Sequence, residues 1–116
     1  MRKKAFVQGR EVEFDEVSLD RAEEERAEGA TVVDVRRPDE RALKHVPRSL
    51  HIPVDQLPQR MAELPEGRLL MICATGVRSS LAAALVEEAG RSDVSSIGGG
   101  TDGWEAAGKP VDRGQG

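Results

Sequence analysis

Short apolar runs alternate with amphipathic stretches along the chain, and this alternation predicts strands separated by helices. Residues 31–35 are β-branched and almost continuously apolar, which is typical of a strand covered on both faces. The run at 69–73 predicts the clearest strand, and two shorter strands are predicted at 49–54 and 94–97. Residues 1–16 mix charges with isolated apolar positions, so we expect a short edge strand at most and otherwise a loose terminus.

Helical segments fill the intervals between these strands. Ser18 is placed to cap a helix over residues 19–28, and Gly29 is placed to end it. Apolar residues four positions apart predict a longer helix over 78–89. Three short helices are predicted at 38–44, at 55–64 starting close to Pro58, and after Gly98-Gly99-Gly100, where Thr101 or Asp102 caps a helix that carries Trp104.

This order of elements predicts an α/β fold. Strands that alternate with helices imply right-handed crossovers, a central mostly parallel sheet and helices on both of its faces. A chain of 116 residues fits one domain over 1–116, with 112–116 as a second loose terminus. Ligands of such sheets bind beyond the carboxyl ends of the strands, and Cys73 lies at one of those ends.

The composition excludes several functions. Seventeen basic residues against 21 acidic ones, with only two Phe and one Trp, argue against nucleic acid as a partner. The chain has no long apolar run, and its first residues lack the apolar core of a secretory signal, so we expect a cytoplasmic protein without membrane contact. The single cysteine excludes an internal disulfide, and no zinc-ligand spacing is visible, so no metal is expected.

The segment CATGVRSS, at residues 73–80, holds that single cysteine between the clearest strand and the longer helix. Backbone N–H groups of such a loop can turn inward and form an anion cradle with the positive end of the helix. Gly76 supplies a permissive backbone, and the Arg78 guanidinium with the amides favours a thiolate. Cys73 is therefore a candidate nucleophile that needs no histidine base; a buried packing role is the alternative.

Four segments resemble those of a single-domain rhodanese: TVVDVRRPDE, HVPRSLHIP, LLMICATGVRSSLAAALVEEAG and GGGTDGWEAAGKPV. They follow one another in the family's order and at intervals similar to the family's. The resemblance extends from about residue 31 to residue 111. It implies the family's central parallel sheet flanked by helices, in agreement with the pattern of elements. It also implies a sulfurtransferase that needs no cofactor.

The resemblance assigns roles to individual positions. Cys73 resembles the family's persulfide-forming cysteine and is the expected catalytic residue. The expected substrate-binding loop comprises Ala74, Thr75, Gly76, Val77 and Arg78. By this resemblance the thiolate takes sulfur from an anionic donor such as thiosulfate and releases sulfite. Because the chain has no second cysteine, an external thiol or protein must accept the sulfur.

Two other functions remain open. One is a partner-binding or sulfur-carrier module of rhodanese type with little thiosulfate turnover. The other is phosphatase or arsenate reductase chemistry, which the loop disfavours. Four residues separate Cys73 from Arg78, whereas those enzymes have five, and Ile72 stands where they usually have histidine.

Some positions depart from the family pattern. The family usually has glycines on both sides of its His-hydrophobic-Pro turn, whereas this chain has Lys44 and Arg48, so the turn is expected to be displaced. His45, within that turn, is interpreted as a packed side chain. Five basic residues between 36 and 48 suggest a positive potential that attracts anionic donors, with a merely solvated charged surface as the alternative.

Four further residues are interpreted as structural. Asp34, Arg36 and Glu40 match the family's Asp-x-Arg and its downstream acid, and we expect them mainly to form a network of hydrogen bonds and ion pairs. Trp104 is expected to pack the last helix against the sheet. The three glycines before it are expected to serve only as a turn.

Overall fold

The computed structural model describes residues 1–114, which are built around one six-stranded sheet. The strands lie in the order β1-β2-β6-β5-β3-β4. Their bounds are Arg2–Val7, Arg10–Val17, Thr31–Asp34, Leu50–His51, Leu69–Ile72 and Val94–Ile97 for β1 to β6. β1 and β2 pair antiparallel, and the other neighbours pair parallel. The predicted α/β fold with a mostly parallel sheet is confirmed.

Within residues 1–114, four α-helices cover the two faces of the sheet. Their bounds are Leu19–Ala27, Pro38–Leu43, Val77–Glu88 and Gly100–Ala106 for α1 to α4. Ser18 caps α1 as predicted, since its Oγ accepts a hydrogen bond of 3.1 Å from the N–H of Arg21. No helix within residues 1–114 is long and apolar enough to cross a lipid bilayer.

The central strand β5 is buried along its whole length, which explains its continuously apolar sequence. Leu69 and Met71 belong to an apolar cluster with α3 and the β1–β2 hairpin. The alternate residues of the strand belong to a second cluster with α1 and with Trp104 of α4. Because side chains alternate along a strand, Cys73 continues the series of Met71 and lies on the α3 side.

The amino-terminal segment differs from its prediction. Residues 1–16 are not a loose terminus, because they form β1 and nearly all of β2. Gln8 and Gly9 connect the strands with φ angles of 53° and 78°, as in the tight hairpin turns that suit the twist of antiparallel strands. Val12 and Phe14 alternate with polar residues and pack into the α3 cluster. The charged positions that suggested a loose segment are mostly the exposed side of this hairpin.

The carboxyl-terminal segment is also attached to the rest of the fold. Asp112 and His45 exchange two backbone hydrogen bonds, at 2.9 and 2.8 Å. The Gly114 N–H also donates to the Ala42 carbonyl group at 2.7 Å, so the predicted loose tail over 112–116 is fixed over residues 112–114. Residues 115 and 116 lie outside the described residues.

Two predicted elements are shorter than expected. The helix predicted over 55–64 is replaced by two single 3₁₀ turns, Leu57–Gln59 and Met61–Glu63. Pro58 lacks an N–H group, so it suits only the first turn of a helix, and no full α-turn follows it. The strand predicted over 49–54 is reduced to the two residues of β4. The helix predicted to be capped by Thr101 or Asp102 begins earlier, at Gly100.

Candidate active site

Cys73 follows the carboxyl end of β5, and the loop after it leads directly into α3. Its side chain is only 1% exposed. Gly76 adopts a φ of 111°, which a residue with a side chain rarely takes, and its N–H donates to the Cys73 Sγ at 3.1 Å. The sulfur therefore lies against a backbone donor at the amino-terminal end of α3, where the helix dipole favours negative charge.

The predicted loop residues surround this thiol with different degrees of exposure. Thr75 and Val77 are exposed, whereas Ala74, Gly76 and Arg78 are half-buried. The loop thus exposes two side chains to solvent, and one of its backbone N–H groups donates a hydrogen bond to the buried sulfur. This arrangement leaves a buried thiol covered by a short segment.

Two buried hydroxyl groups form a chain of contacts that leads from the sulfur into the core. Ser79 Oγ lies 3.3 Å from the Cys73 Sγ, and Ser96 Oγ of β6 lies 2.7 Å from Ser79 Oγ. Both serines are fully buried. We did not predict either contact. The sequence signal that could have indicated these contacts is the presence of polar residues in a strand as buried as β6, because buried hydroxyl groups are normally hydrogen-bonded.

Helix α4 holds the backbone of the loop from the other side. The N–H groups of Thr101 and Asp102 donate to the carbonyl groups of Cys73 and Ala74, at 2.8 and 3.0 Å. Gly100 makes this approach possible, because a Cβ added there would lie 2.6 Å from the Cys73 carbonyl oxygen and still closer to that of Ala74. The glycine run was predicted only as a turn, but Gly100 is a close-contact residue of the site.

Arg78 binds a carboxylate of the protein itself. Its Nη1 and Nη2 donate to the two carboxylate oxygens of Glu40, at 2.6 and 2.9 Å. These hydrogen bonds lower the pKa of Glu40 to about 2, and they raise the pKa of Arg78 above its usual value. The sequence led us to expect the Arg78 charge to act on the thiol, whereas in the structure Glu40 offsets much of it.

A model of the rhodanese-like domain family matches residues 18–107 of the chain. This protein belongs to the rhodanese-like domain family. The predicted family is thereby confirmed. The matched residues begin after β2, so the amino-terminal hairpin lies outside the matched part of the chain.

Curated relatives and solved structures agree with this assignment. The thiosulfate sulfurtransferase GlpE of Pseudomonas fluorescens is 35% identical over 106 residues, which cover 90% of this chain and 95% of that protein. A sulfurtransferase of Allochromatium vinosum is 35% identical over 85 residues, which cover 72% of this chain and 79% of that protein. A rhodanese-related protein of Thermoplasma volcanium has a TM-score of 0.79 at 27% identity, covering 85% of this chain and 98% of that one. These relatives support a rhodanese-type sulfurtransferase.

Within this rhodanese-like fold, Asp34 and Arg36 form the predicted structural pair. Arg36 donates to the Asp34 carboxylate from its backbone N–H, Nε and Nη2, at 3.0, 3.0 and 2.9 Å. Both residues are buried. Arg36 also donates to the backbone carbonyl of Lys44 at 2.6 Å, and so the pair ties the end of β3 to the end of α2. Glu40 differs from the other two because it reaches the active loop.

The family usually has glycines at the positions of Lys44 and Arg48, and one of these two positions still has a left-handed backbone. Arg48 has a φ of 60°, a conformation that glycine adopts more readily than arginine. Lys44 is extended, and its ammonium group pairs with Glu105 at 2.7 Å. His45 is buried with its Nδ1 2.9 Å from the Arg41 carbonyl oxygen, as expected of a packed side chain.

The basic residues between 36 and 48 are largely matched by acids. Arg36 and Arg41 are buried beside Asp34, and Lys44 pairs with Glu105. Ion pairs offset the positive potential that would attract an anionic donor. Arg36 and Arg41 are buried, so a merely solvated charged surface, the stated alternative, does not describe the whole segment either.

The rim beside the loop is partly apolar. Leu43 of α2 is 70% exposed, and Val77 of the loop is 56% exposed. Leu43 lines a cavity of about 300 Å³ next to Ala74, together with Arg36, Glu40, Lys44 and Asp102. Leu43 and Val77 are therefore exposed apolar side chains, one on α2 and one at the start of α3, that another molecule could contact.

Proposed function

We propose that this protein is a sulfurtransferase that carries sulfane sulfur as a persulfide on Cys73. One observation carries the proposal: the Cys73 Sγ lies at the carboxyl end of a central parallel strand, 3.1 Å from the Gly76 N–H and at the start of α3. A backbone donor and a helix terminus stabilise an anionic sulfur without a general base. The sulfurtransferase names of the relatives support the same chemistry.

The first half-reaction loads the sulfur. The Cys73 thiolate attacks the outer sulfur of thiosulfate, a new S–S bond forms, and the S–S bond of thiosulfate breaks. The electron pair of the broken bond leaves with sulfite, and the negative charge of the product persulfide rests on its outer sulfur. Electrostatic stabilisation by the fixed backbone dipoles of the loop assists this step.

The second half-reaction delivers the sulfur to an external acceptor. A thiolate of the acceptor attacks the outer sulfur, and Cys73 leaves as a thiolate. The acceptor must come from outside because the chain contains one cysteine. Small thiols and protein thiols both fit this requirement.

The donor binds to the loop formed by Ala74, Thr75, Gly76, Val77 and Arg78. Because Glu40 holds Arg78 in the free protein, the guanidinium binds the donor's anionic oxygens by exchanging one set of acceptors for another. Glu40 thereby sets how strongly an anionic donor is bound.

A sulfur-carrier role with a protein acceptor is the second candidate. It is favoured by the exposed Leu43 and Val77 beside a thiol that is itself buried. In this role the persulfide forms, but turnover with thiosulfate and a small acceptor is slow. The partner would contact the two apolar side chains before it reached the sulfur.

Thiocyanate formation from thiosulfate and cyanide tests the proposal. We expect turnover by the unaltered protein and none by Cys73→Ser. Hydrolysis of an aryl phosphate by the same preparation measures the competing phosphatase chemistry. Ester hydrolysis without thiocyanate formation would overturn the proposal in favour of the phosphatase alternative.

A further inference from the structure

A row of three buried atoms runs from the Cys73 Sγ through Ser79 Oγ to Ser96 Oγ. The two distances are 3.3 and 2.7 Å, and none of the three residues is more than 1% exposed. Among the described residues, the hydrogen bond to Ser79 is the only one that the Ser96 hydroxyl group makes. The row therefore ends at Ser96 inside the core.

The fold brings these residues together from three elements. Cys73 follows β5, Ser79 is the third residue of α3, and Ser96 lies on β6 opposite Met71 of β5. Because β5 and β6 are parallel neighbours, Ser96 projects toward α3 from the same face as Met71. Ser95 projects to the opposite face, where its Oγ accepts a hydrogen bond from Arg68.

Counting the protons in this row distinguishes the thiol from the thiolate. With a neutral thiol, the Cys73 S–H donates to the Ser79 hydroxyl oxygen, Ser79 donates to Ser96, and the Ser96 hydroxyl proton is left without an acceptor in the row. With a thiolate, the Ser96 hydroxyl donates to Ser79, the Ser79 hydroxyl donates to the sulfur, and both protons are used. An unsatisfied buried donor is costly, so the row favours the deprotonated sulfur.

We propose that Ser96, acting through Ser79, is a positioning residue that stabilises negative charge on the Cys73 sulfur. The inference rests on the proposed role of Cys73 as the sulfur-carrying nucleophile. It applies to the two moments at which the charge is on Sγ: before attack on the donor, and when Cys73 leaves as the acceptor takes the sulfur. The hydroxyl protons only reorient, and the thiol proton is lost to water.

Ionisable groups around the loop are arranged in pairs of opposite charge. Arg78 of α3 pairs with Glu40 of α2, Asp34 pairs with Arg36 after β3, and Asp102 of α4 pairs with Lys44. Arg41 lies beside the same Asp34 carboxylate as Arg36, so these two arginines share that acid. The hydroxyl row and the Gly76 N–H are thus the uncharged groups that act on the sulfur directly.

Titration of the thiolate's ultraviolet absorbance tests the inference in the full chain. The protein has one cysteine and no tyrosine, so with Cys73→Ser as the blank the signal reports Cys73 alone. We expect Ser96→Ala to raise the titration midpoint by about 0.5–1 pH unit, and Ser79→Ala by about 1–2 units. In Ser79→Ala, the further change Ser96→Ala has no additional effect, because the connection is already lost.

The matched control is Ser95→Ala, which removes a buried hydroxyl from the neighbouring position of the same strand. Its midpoint stays that of the unaltered protein, and near-ultraviolet circular dichroism of Trp104 verifies the fold of each variant. Ser96→Thr, which keeps the hydroxyl, retains the midpoint as well.

Two results would overturn the inference: an unchanged midpoint in a folded Ser96→Ala, or an equal shift in Ser95→Ala. The titration requires no sulfur donor. A protein that never forms a persulfide but shows the predicted shifts contradicts the proposed function alone. A protein that loads sulfur without the shifts contradicts the role of Ser96 alone.

Discussion

Arg78, at the end of the active loop, and Glu40, in the short helix α2, are joined by two parallel hydrogen bonds of 2.6 and 2.9 Å. Both side chains are partly accessible. The pair bridges two elements beside the buried thiol. A donor that uses the guanidinium must first replace the carboxylate.

Replacing Glu40 with glutamine should strengthen the binding of thiosulfate. The variant removes the competing negative charge and leaves the Arg78 guanidinium free for the donor. We expect KM for thiosulfate to fall about threefold or more, equivalent to an exposed ion pair of roughly 0.7 kcal/mol. Steady-state kinetics at low ionic strength measures the change.

Glu63→Gln is the matched control for this experiment. Glu63 forms a similar pair with Arg60, on the surface and away from the loop. Its KM should equal that of the unaltered protein. An unchanged or higher KM in Glu40→Gln would show that Arg78 does not bind the donor by exchange.

The same pair predicts how stability depends on pH. The pKa of Glu40 is lowered from 4.5 to about 2 in the folded protein, so the ionised carboxylate stabilises the fold. This contribution is fully present above the unfolded value of 4.5 and is lost as the pH falls from there toward 2. After solvent screening it amounts to about 1 kcal/mol.

Urea unfolding of the protein and of Glu40→Gln, above and below pH 4.5, isolates this contribution. The difference in unfolding free energy between the two proteins should shrink at the lower pH. A difference that stayed constant through this range would contradict the stabilising role of the ionised carboxylate.

Gly100→Ala should disrupt the site and weaken the fold. An added Cβ would meet the backbone carbonyl groups of Cys73 and Ala74, which cannot move without displacing the Cys73 thiol. We expect unfolding to become easier by about 2–4 kcal/mol and persulfide formation to fall sharply. Urea unfolding and sulfur loading measure the two effects.

Gly108→Ala separates backbone strain from this collision. Gly108 also has a positive φ, of 79°, but nothing lies within 4 Å of its added Cβ. It should cost only about 1 kcal/mol and leave sulfur loading intact. Equal losses in the two variants would mean that the contact at Gly100 is unimportant.

Arg48→Gly should stabilise the protein. The arginine occupies a left-handed conformation with a φ of 60°, which is unfavourable for a residue with a Cβ, and glycine removes that strain. The gain is about 0.5–1 kcal/mol once the extra flexibility of the unfolded chain is subtracted. Thermal unfolding should show a higher Tm.

Lys44→Gly is the comparison at the other side of the same turn. Lys44 is extended and pairs with Glu105, so glycine there removes an interaction without relieving strain. Its Tm should fall. A lower Tm for Arg48→Gly would contradict the account of strain.

The fold could be predicted because its signals are local. A continuously apolar run such as β5 indicates a strand buried on both faces, and Ser18 before a run of helix formers indicates a helix start. The hairpin was missed because Gln8-Gly9 is a weak turn signal. The apolar alternation of β2 was hidden among many charges.

The site could be predicted only in part, since its key contacts join distant segments. The position of Cys73 after a strand and the glycine of its loop are adjacent in sequence. The contacts of Ser79 with Ser96 and of Arg78 with Glu40 depend on how α3 packs against β6 and α2. No local pattern in the sequence predicts how these elements pack.

The intact mass of the reduced protein after incubation with thiosulfate tests the central claim most directly. We predict the addition of one sulfur atom, reversed by reductant and absent from Cys73→Ser. No added sulfur in the folded protein, or the same addition in Cys73→Ser, would contradict the assignment of Cys73 as the sulfur-carrying residue.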